Sequence, residues 1–276
     1  RHGAFAKILP NGSLSHSPCL PQSFSAERRL ALGVEDCALT PATNTPLTTD
    51  DSILLDSSFR ENLSAQLRLC YISPNITTYL DNIEKPIMSL ICDNPTHFCL
   101  TAKHIQDQDF IPKLKSVAMD MSINILTRIQ DQESLKTSKD MTIVPIWELT
   151  RQLSVAIAAI KCDVKITDAH LARIAFLRHC LTQFNKIDIN STASGEYDEP
   201  AFWSFVDCEL TEMRSVAFDK GGDILNQRDM LSQYFRYVLD EDLKKYPGSK
   251  ECWQSTHNQA DVVNTWQRKI AIQMVF

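Results

Sequence analysis

Apolar residues recur every three or four positions through most of the chain after residue 50, which is the spacing of one buried helical face. Between residues 114 and 129, for example, the repeat runs Leu114, Ala118, Met121, Ile125 and Ile129. The same spacing predicts helices over 53–70, 111–132, 146–160, 166–184, 200–214, 226–246 and 260–276. We therefore expect a mainly α fold, arranged as an irregular helical bundle.

Proline and polar residues divide this pattern. Five of the twelve prolines fall within residues 1–50 among Ser, Thr and Asn, and this composition predicts a disordered or irregular N-terminal arm. Residues 51–276 then form the predicted helical domain, with the polar stretch 133–144 as a candidate boundary inside it. In 74–110, three prolines interrupt short apolar runs, which favours short helices and leaves a small strand pair as the alternative.

Glycine is scarce, with seven residues in 276. Phosphate-binding loops and tight hairpins depend on glycine, so this scarcity disfavours Rossmann, P-loop and hairpin-rich β folds. The usual glycine-rich nucleotide motifs, the G-x-S-x-G hydrolase motif and the H-E-x-x-H zinc motif are all missing from the sequence. We therefore expect a non-enzymatic protein more than an enzyme.

The net charge is −6, so a uniformly basic surface for a nucleic-acid backbone is missing. The sequence has no run of 18 or more apolar residues, which predicts no membrane span. Its nine cysteines are scattered, several of them within predicted helices, as expected for free thiols in the cytoplasm or nucleus. A start at Arg1 and an end within an apolar helical pattern are consistent with a fragment of a longer protein.

One cluster has residues that suit a metal. Cys92, His97, Cys99 and His104 are spaced C-x4-H-x-C-x4-H, and two thiolates with two imidazoles would suit tetrahedral zinc. The close C-x2-C pair of common zinc sites is missing, however, and buried thiols with surface imidazoles are the alternative. The hypothesis that follows is a zinc-binding protein or enzyme with its site at 92–104.

Two neighbouring segments carry opposite charge. Residues 161–186 have a net charge of +3 and residues 188–214 a net charge of −6. Such blocks commonly compensate each other between adjacent helices, and the alternative is an exposed binding face. The candidate partner-binding residues on these blocks are Lys165, Arg173, Arg178, Glu209 and Glu212. Placed on the 161–186 helix, the same basic residues also give a second hypothesis, a nucleic-acid-associated protein.

The segment EPAFWSFVDCELTEMR, residues 199–214, combines aromatic and acidic residues. On a helix that begins at Pro200, the apolar positions form one inner stripe with Trp203 at its margin, and Asp207, Glu209 and Glu212 project outward. This pattern predicts a core-facing helix with a solvated acidic face.

Three stretches between 171 and 246 carry a resemblance: LARIAFLRHCL, FWSFVDCELTEMR and YFRYVLDEDLKKYP. They resemble helical segments of uncharacterised fungal proteins, which pair an F-W-x-x-V/I-D-x-x-L-x-x-x-R helix with a following acidic-basic helix. The resemblance implies a helical fold and a fungal source, but no activity. Together with the missing catalytic motifs, it favours a non-enzymatic helical interaction or scaffold module with a protein partner.

Overall fold

The computed structural model describes residues 51–131, 144–158, 165–191, 199–247 and 265–274. These residues form helices and connecting segments, with no β-strand among them. The prediction of a mainly α fold is thereby confirmed. The predicted arm at 1–50 lies outside the described residues, as does all of the 133–144 boundary except Val144.

The described helices belong to one compact unit of the chain. In chain order they are α1 Ser52–Leu55, α2 Ser57–Tyr71, α3 Glu84–Asp93, a 3-10 helix Pro95–Phe98, α4 Ala102–Gln106, α5 Phe110–Asp131, α6 Ile146–Ala158, α7 Asp168–Ser191, α8 Glu199–Gly221, α9 Ile224–Lys245 and α10 Thr265–Gln273. The short helices predicted between 74 and 110 are therefore present, and the alternative strand pair is not.

Helix α2 lies in one half of the core, packed against α5 and α6. It begins at Asp56, whose carboxylate accepts the backbone N–H of Phe59 at 2.8 Å, a standard way to satisfy the first turn of a helix. Phe59, Leu63 and Leu67 follow at four-residue spacing and are fully buried. The helical repeat seen in the sequence is thus the inner face of this helix.

The other half of the core is formed by α7, α8 and α9, which pack against one another. Leu171, Ile174 and Leu177 of α7 are buried as their spacing predicts, but so is every other side chain from His170 to Arg178. A helix covered on all sides must accommodate its polar residues internally. Two arginines of α7 therefore lie inside the protein.

The segment between α2 and α3, residues 72–83, is held by polar side chains of α7 and α8. Arg173 of α7 donates to the carbonyl oxygens of Pro74 and Ile76, and Arg214 of α8 donates to that of Thr77. A connection without helical hydrogen bonds needs such partners for its buried backbone groups. These contacts join the α2 half of the core to the α7–α9 half.

Candidate partner-binding surface

The two arginines predicted to bind a partner are buried. Arg173 is 4% exposed and Arg178 is 1% exposed, and both guanidinium groups make their contacts inside the protein. The prediction that they lie on an exposed basic face is therefore wrong. Both lie outside the apolar stripe that the spacing predicts for α7, but the side chains of α7 are buried on every side between His170 and Arg178.

Arg173 interacts with backbone oxygens and an aromatic ring. Its Nη2 donates to Pro74 O at 2.6 Å and to Ile76 O at 2.9 Å. The guanidinium carbon lies 4.5 Å from the centre of the Phe235 ring, within the range of a cation–π contact. This cation therefore fixes the 72–83 segment against α7 and α9.

Arg178 forms a buried ion pair. Its Nη1 lies 3.2 Å from Asp242 Oδ2, and its Nη2 donates to Val144 O at 2.9 Å. Burial raises the pKa of the Asp242 carboxyl, and the positive charge of Arg178 opposes this effect. Since Asp242 lies on α9, the partner of Arg178 is not in the acidic 188–214 block. The two arginines thus contact backbone oxygens, the Phe235 ring and Asp242, whereas the charge pattern suggests the acidic 188–214 block.

Asp207 also differs from its prediction. It is buried, and its carboxylate accepts the hydroxyl of Thr78 at 2.7 Å and the backbone N–H groups of Tyr79 and Leu80 at 2.6 and 2.9 Å. The expected solvated position is wrong because the 72–83 segment covers this face of α8. Trp203, predicted at the margin, is likewise buried.

The remaining predicted partner-binding residues are half-buried. Lys165 contacts α10 through its backbone, which exchanges two hydrogen bonds with the side-chain amide of Gln267. Burial and the neighbouring charge of Glu212 raise the pKa of Glu209 to about 7. Glu209 is therefore only partly ionised at neutral pH, which makes it a weak contributor to a negatively charged surface.

The predicted zinc site is not formed. In the part of the chain that the structure describes, no group of three or more His, Cys, Asp or Glu residues is arranged to hold a metal ion. Cys99 ends the 3-10 helix in a left-handed conformation, and its sulfur accepts a hydrogen bond from Asn62 at 3.0 Å. Cys92 is half-buried, and burial raises the pKa of its thiol.

The two histidines of the predicted zinc site have separate structural contacts. His97 stacks on Trp266, with ring centres 4.0 Å apart. His104 accepts the backbone N–H of Thr101 through Nδ1 at 3.1 Å, and so caps the first turn of α4. The imidazoles therefore stabilise two different elements and do not converge with the thiols.

His170 and Cys180 on α7 are also buried. The Nδ1 atom of His170 lies 2.8 Å from the Thr167 hydroxyl at the start of α7, and burial lowers the pKa of this imidazole to about 4. Burial raises the pKa of the Cys180 thiol well above its usual range. A neutral imidazole and a protonated thiol in the core are structural groups, and they lack the activation that a nucleophile needs.

Large apolar side chains are exposed where α8 meets α9. Phe218, Ile224 and Leu225 are between 64% and 72% exposed. They account for half of the six large hydrophobic residues that are exposed in the described ranges, yet they lie within eight positions of the sequence. We call these three residues the apolar corner. Clustered exposed apolar residues are typical of interaction sites, whereas single ones are common everywhere.

The apolar corner is built on a tight connection between two helices. Gly222 has φ of +69°, a conformation that glycine adopts without strain. Asp223 then begins α9 by accepting the backbone N–H groups of Leu225 and Asn226 at 2.9 and 3.0 Å. Because Ile224 and Leu225 directly follow this cap, they occupy the first turn of α9 and point away from its packed half.

Charged residues of both signs surround the apolar corner. Asp219 and Lys220 lie between Phe218 and Ile224 at the end of α8, Arg228 and Asp229 follow Leu225 on α9, and all four are exposed. This mixture would not attract a strongly charged polymer. An apolar patch with a mixed polar rim is the usual anatomy of a protein–protein contact.

Sequence reasoning missed the apolar corner, although a signal was present. The stretch FDKGGDIL places two glycines and a helix-capping aspartate directly before an apolar pair. This pair lies more than two turns before the buried apolar residues of α9, which are Tyr234, Val238 and Leu239. Apolar residues in the first turn after a cap, outside the buried stripe, indicate an exposed position.

Comparisons with protein-family models, curated proteins and solved structures found no match to this chain. The fungal resemblance over 171–246 therefore stays a prediction. Within the described ranges, no helix has both the length and the apolar character needed to cross a membrane.

Proposed function

We propose that this chain is a non-enzymatic helical interaction module and that the apolar corner binds a partner protein. The observation that carries the proposal is the exposure of Phe218, Ile224 and Leu225 at one helix–helix connection. Burying three such side chains in a partner would contribute several kcal/mol, since each is worth about 1.5–3 kcal/mol when fully transferred from water.

The chemistry of the corner defines the partner. Exposed apolar side chains are covered best by other apolar groups, so the complementary surface is an apolar patch on another protein. The mixed charges around the corner, Asp219, Lys220, Arg228 and Asp229, set the orientation of binding more than its strength.

The nucleic-acid hypothesis loses its support in this arrangement. Arg173 and Arg178 were its main residues, and both are buried. A cytoplasmic or nuclear location remains part of the proposal, supported by the free thiols of Cys70, Cys92, Cys99 and Cys180.

The test is site-specific photo-crosslinking in extract of the source cells. A photoreactive phenylalanine analogue at position 218 should crosslink one discrete protein, and the crosslink should disappear when Leu225→Ser is added. The matched control places the analogue at Ile123, which is also exposed but lies on α5. Crosslinks that are the same from both positions, or that form only to a second copy of this chain, would overturn the proposal.

A further inference from the structure

Helix α10 is attached to the rest of the protein by side-chain hydrogen bonds and by a few apolar side chains. Trp266 Nε1 donates to Gln66 Oε1 at 2.7 Å, and Gln273 Nε2 donates to Ser89 Oγ at 2.8 Å. Lys269 donates to the side-chain oxygen of Asn94. These partners lie on α2, on α3 and directly after α3, so one short helix is bound by several separate parts of the fold.

Two further contacts make this attachment specific. The side-chain amide of Gln267 donates to Lys165 O at 3.1 Å and accepts from Lys165 N at 3.0 Å, so it pairs with both backbone polar groups of that residue. The Trp266 ring stacks on His97. It also lies edge-to-face with Phe98, with the two ring centres 6.0 Å apart. We call the surface that receives the helix the α10 groove; it consists of Gln66, Ser89, Asn94, His97, Phe98 and the backbone of Lys165.

The apolar part of this attachment is small. Ile270 and Met274 are fully buried, and both lie on the side of the helix that carries Trp266 and Gln267. Ile272 is 68% exposed on the opposite side. An amphipathic helix that places a few anchors in a polar-rimmed groove is a recurring mode of peptide recognition.

Helix α10 is also short, with nine residues. A helix of this length is not stable alone in water, so it exists because it is docked. Each of its hydrogen bonds contributes only about 0.5–1.5 kcal/mol net, because water replaces it when the helix leaves. Its main helix contacts are with α2 and α3. Its departure therefore exposes few apolar side chains of its own, chiefly Ile270 and Met274.

We propose that the α10 groove is a docking site for amphipathic helices and that α10 is its displaceable intramolecular occupant. The partner is a helix of a second protein that presents the spacing Trp-Gln-x-x-Ile-x-x-x-Met, as residues 266–274 do. When α10 leaves, this partner takes its place. The inference goes beyond the proposed function, because none of its contacts involves the apolar corner.

The test is binding of a fluorescent synthetic peptide of residues 262–276 to the full chain, followed by anisotropy. In the wild type, the tethered helix competes with the added peptide, so binding should be weak. The Ile270→Ala chain should bind the peptide at least about thirty-fold more tightly, because removing a buried isoleucine side chain weakens docking by that order. Ile272→Ala changes an exposed isoleucine of the same helix and should match the wild type within about two-fold.

Three further binding measurements show whether the peptide occupies the α10 groove specifically. A peptide with alanine at both 266 and 270 should not bind, and equal binding by this peptide would overturn the proposal. Absence of saturable binding to the Ile270→Ala chain would also overturn it. A chain with Phe218→Ser and Leu225→Ser should bind the peptide with the same affinity as the wild type. Peptide binding to the α10 groove is therefore tested independently of partner binding by the apolar corner.

Hydrogen exchange of the wild-type chain gives a second measurement that needs no variant to fold. The amides of α10 should exchange at least about 100-fold faster than the buried amides of α2, because α10 opens without global unfolding. Equal exchange rates of α10 and α2, with the same dependence on urea, would show that the helix leaves only when the whole protein unfolds. That result would overturn the proposal.

Discussion

Asp207 of α8 accepts the backbone N–H of Tyr79 at 2.6 Å, although the two residues are 128 positions apart in the sequence. The same carboxylate also accepts the N–H groups of Leu80 and Asp81 and the hydroxyl of Thr78. One side chain therefore satisfies four donors of a segment that makes no helical hydrogen bonds there. This relationship holds the 72–83 segment in place together with the buried side chains of Ile76 and Tyr79.

Replacing Asp207 should therefore destabilise the protein. Asp207→Ala leaves buried backbone N–H groups without an acceptor, and each such group costs about 1–3 kcal/mol. We expect a loss of about 3 kcal/mol in the free energy of unfolding, measured by urea titration. Asp219→Ala, an exposed aspartate on the same helix, is the control and should change stability by less than about 0.5 kcal/mol. Equal effects of the two substitutions would contradict this role of Asp207.

The Arg178–Asp242 pair gives a second prediction. Asp242→Asn leaves a buried guanidinium without its counter-charge, and breaking a buried pair in this way typically costs about 3–5 kcal/mol. Asp240→Asn changes an exposed aspartate of α9 and should have little effect. The measurement is again the free energy of unfolding.

A double variant separates the charge from the packing. Arg178→Met with Asp242→Leu removes both charges and should recover most of the stability lost in Asp242→Asn, since apolar replacements of buried pairs are often neutral. If the double variant is as unstable as the single one, then contacts other than the ion pair, such as the bond to Val144, dominate at this position.

The helices could be predicted from the sequence because their signals are local. The repeat over 111–132 corresponds to Phe110–Asp131, and the helix predicted at 226–246 is Ile224–Lys245. Each boundary depends on residues within one or two turns, such as Asp223 at the start of α9. Spacing therefore sufficed for the type and position of these two helices, whereas α7 and α8 extend about two turns beyond the predicted ends at 184 and 214.

The candidate site could not be predicted in the same way, because burial of a polar residue depends on what covers it. Arg173 and Asp207 lie on polar positions of their helices, and both are buried because the 72–83 segment lies over them. Their partners are about 100 residues or more away in sequence. Hydrophobic periodicity describes one helix at a time and has no information about such a covering segment.

The metal hypothesis failed for a related reason. The spacing of Cys92, His97, Cys99 and His104 is compatible with four ligands, but ligand sets are defined by convergence in space. His97 instead stacks on Trp266, and His104 caps α4. Both contacts depend on local and long-range packing that the spacing alone does not show.

Glu209 predicts a pH dependence of stability. Its folded-state pKa is raised from 4.5 to about 7, first by burial and then by the charge of Glu212. Between these values the folded state binds more protons at this carboxyl than the unfolded state does. The contribution of Glu209 to the free energy of unfolding therefore falls as pH rises from about 4.5 to 7, by at most about 3 kcal/mol, and is constant above.

Glu209→Gln tests this dependence, because glutamine does not titrate. The difference in unfolding free energy between the variant and the wild type should shift in favour of the variant as pH rises from 4.5 to 7. Glu61→Gln, which changes an exposed glutamate of α2, is the control. A difference that stays constant across this window would show that Glu209 has the same pKa in both states.

The apolar corner gives the last prediction, which separates a binding surface from a structural one. Phe218, Ile224 and Leu225 make little contact with the core, so Phe218→Ser with Leu225→Ser should change the free energy of unfolding by no more than about 1 kcal/mol. The same double variant should be more soluble, because exposed apolar clusters promote association. The measurements are urea unfolding and the protein concentration that remains in solution after precipitation with ammonium sulfate.

The comparison variant is Phe202→Ser with Leu210→Ser, which removes two buried side chains of α8 and should lose at least about 4 kcal/mol in the free energy of unfolding. If the corner variant loses as much stability as this comparison variant, then Phe218 and Leu225 serve the fold and their exposure does not mark a partner site.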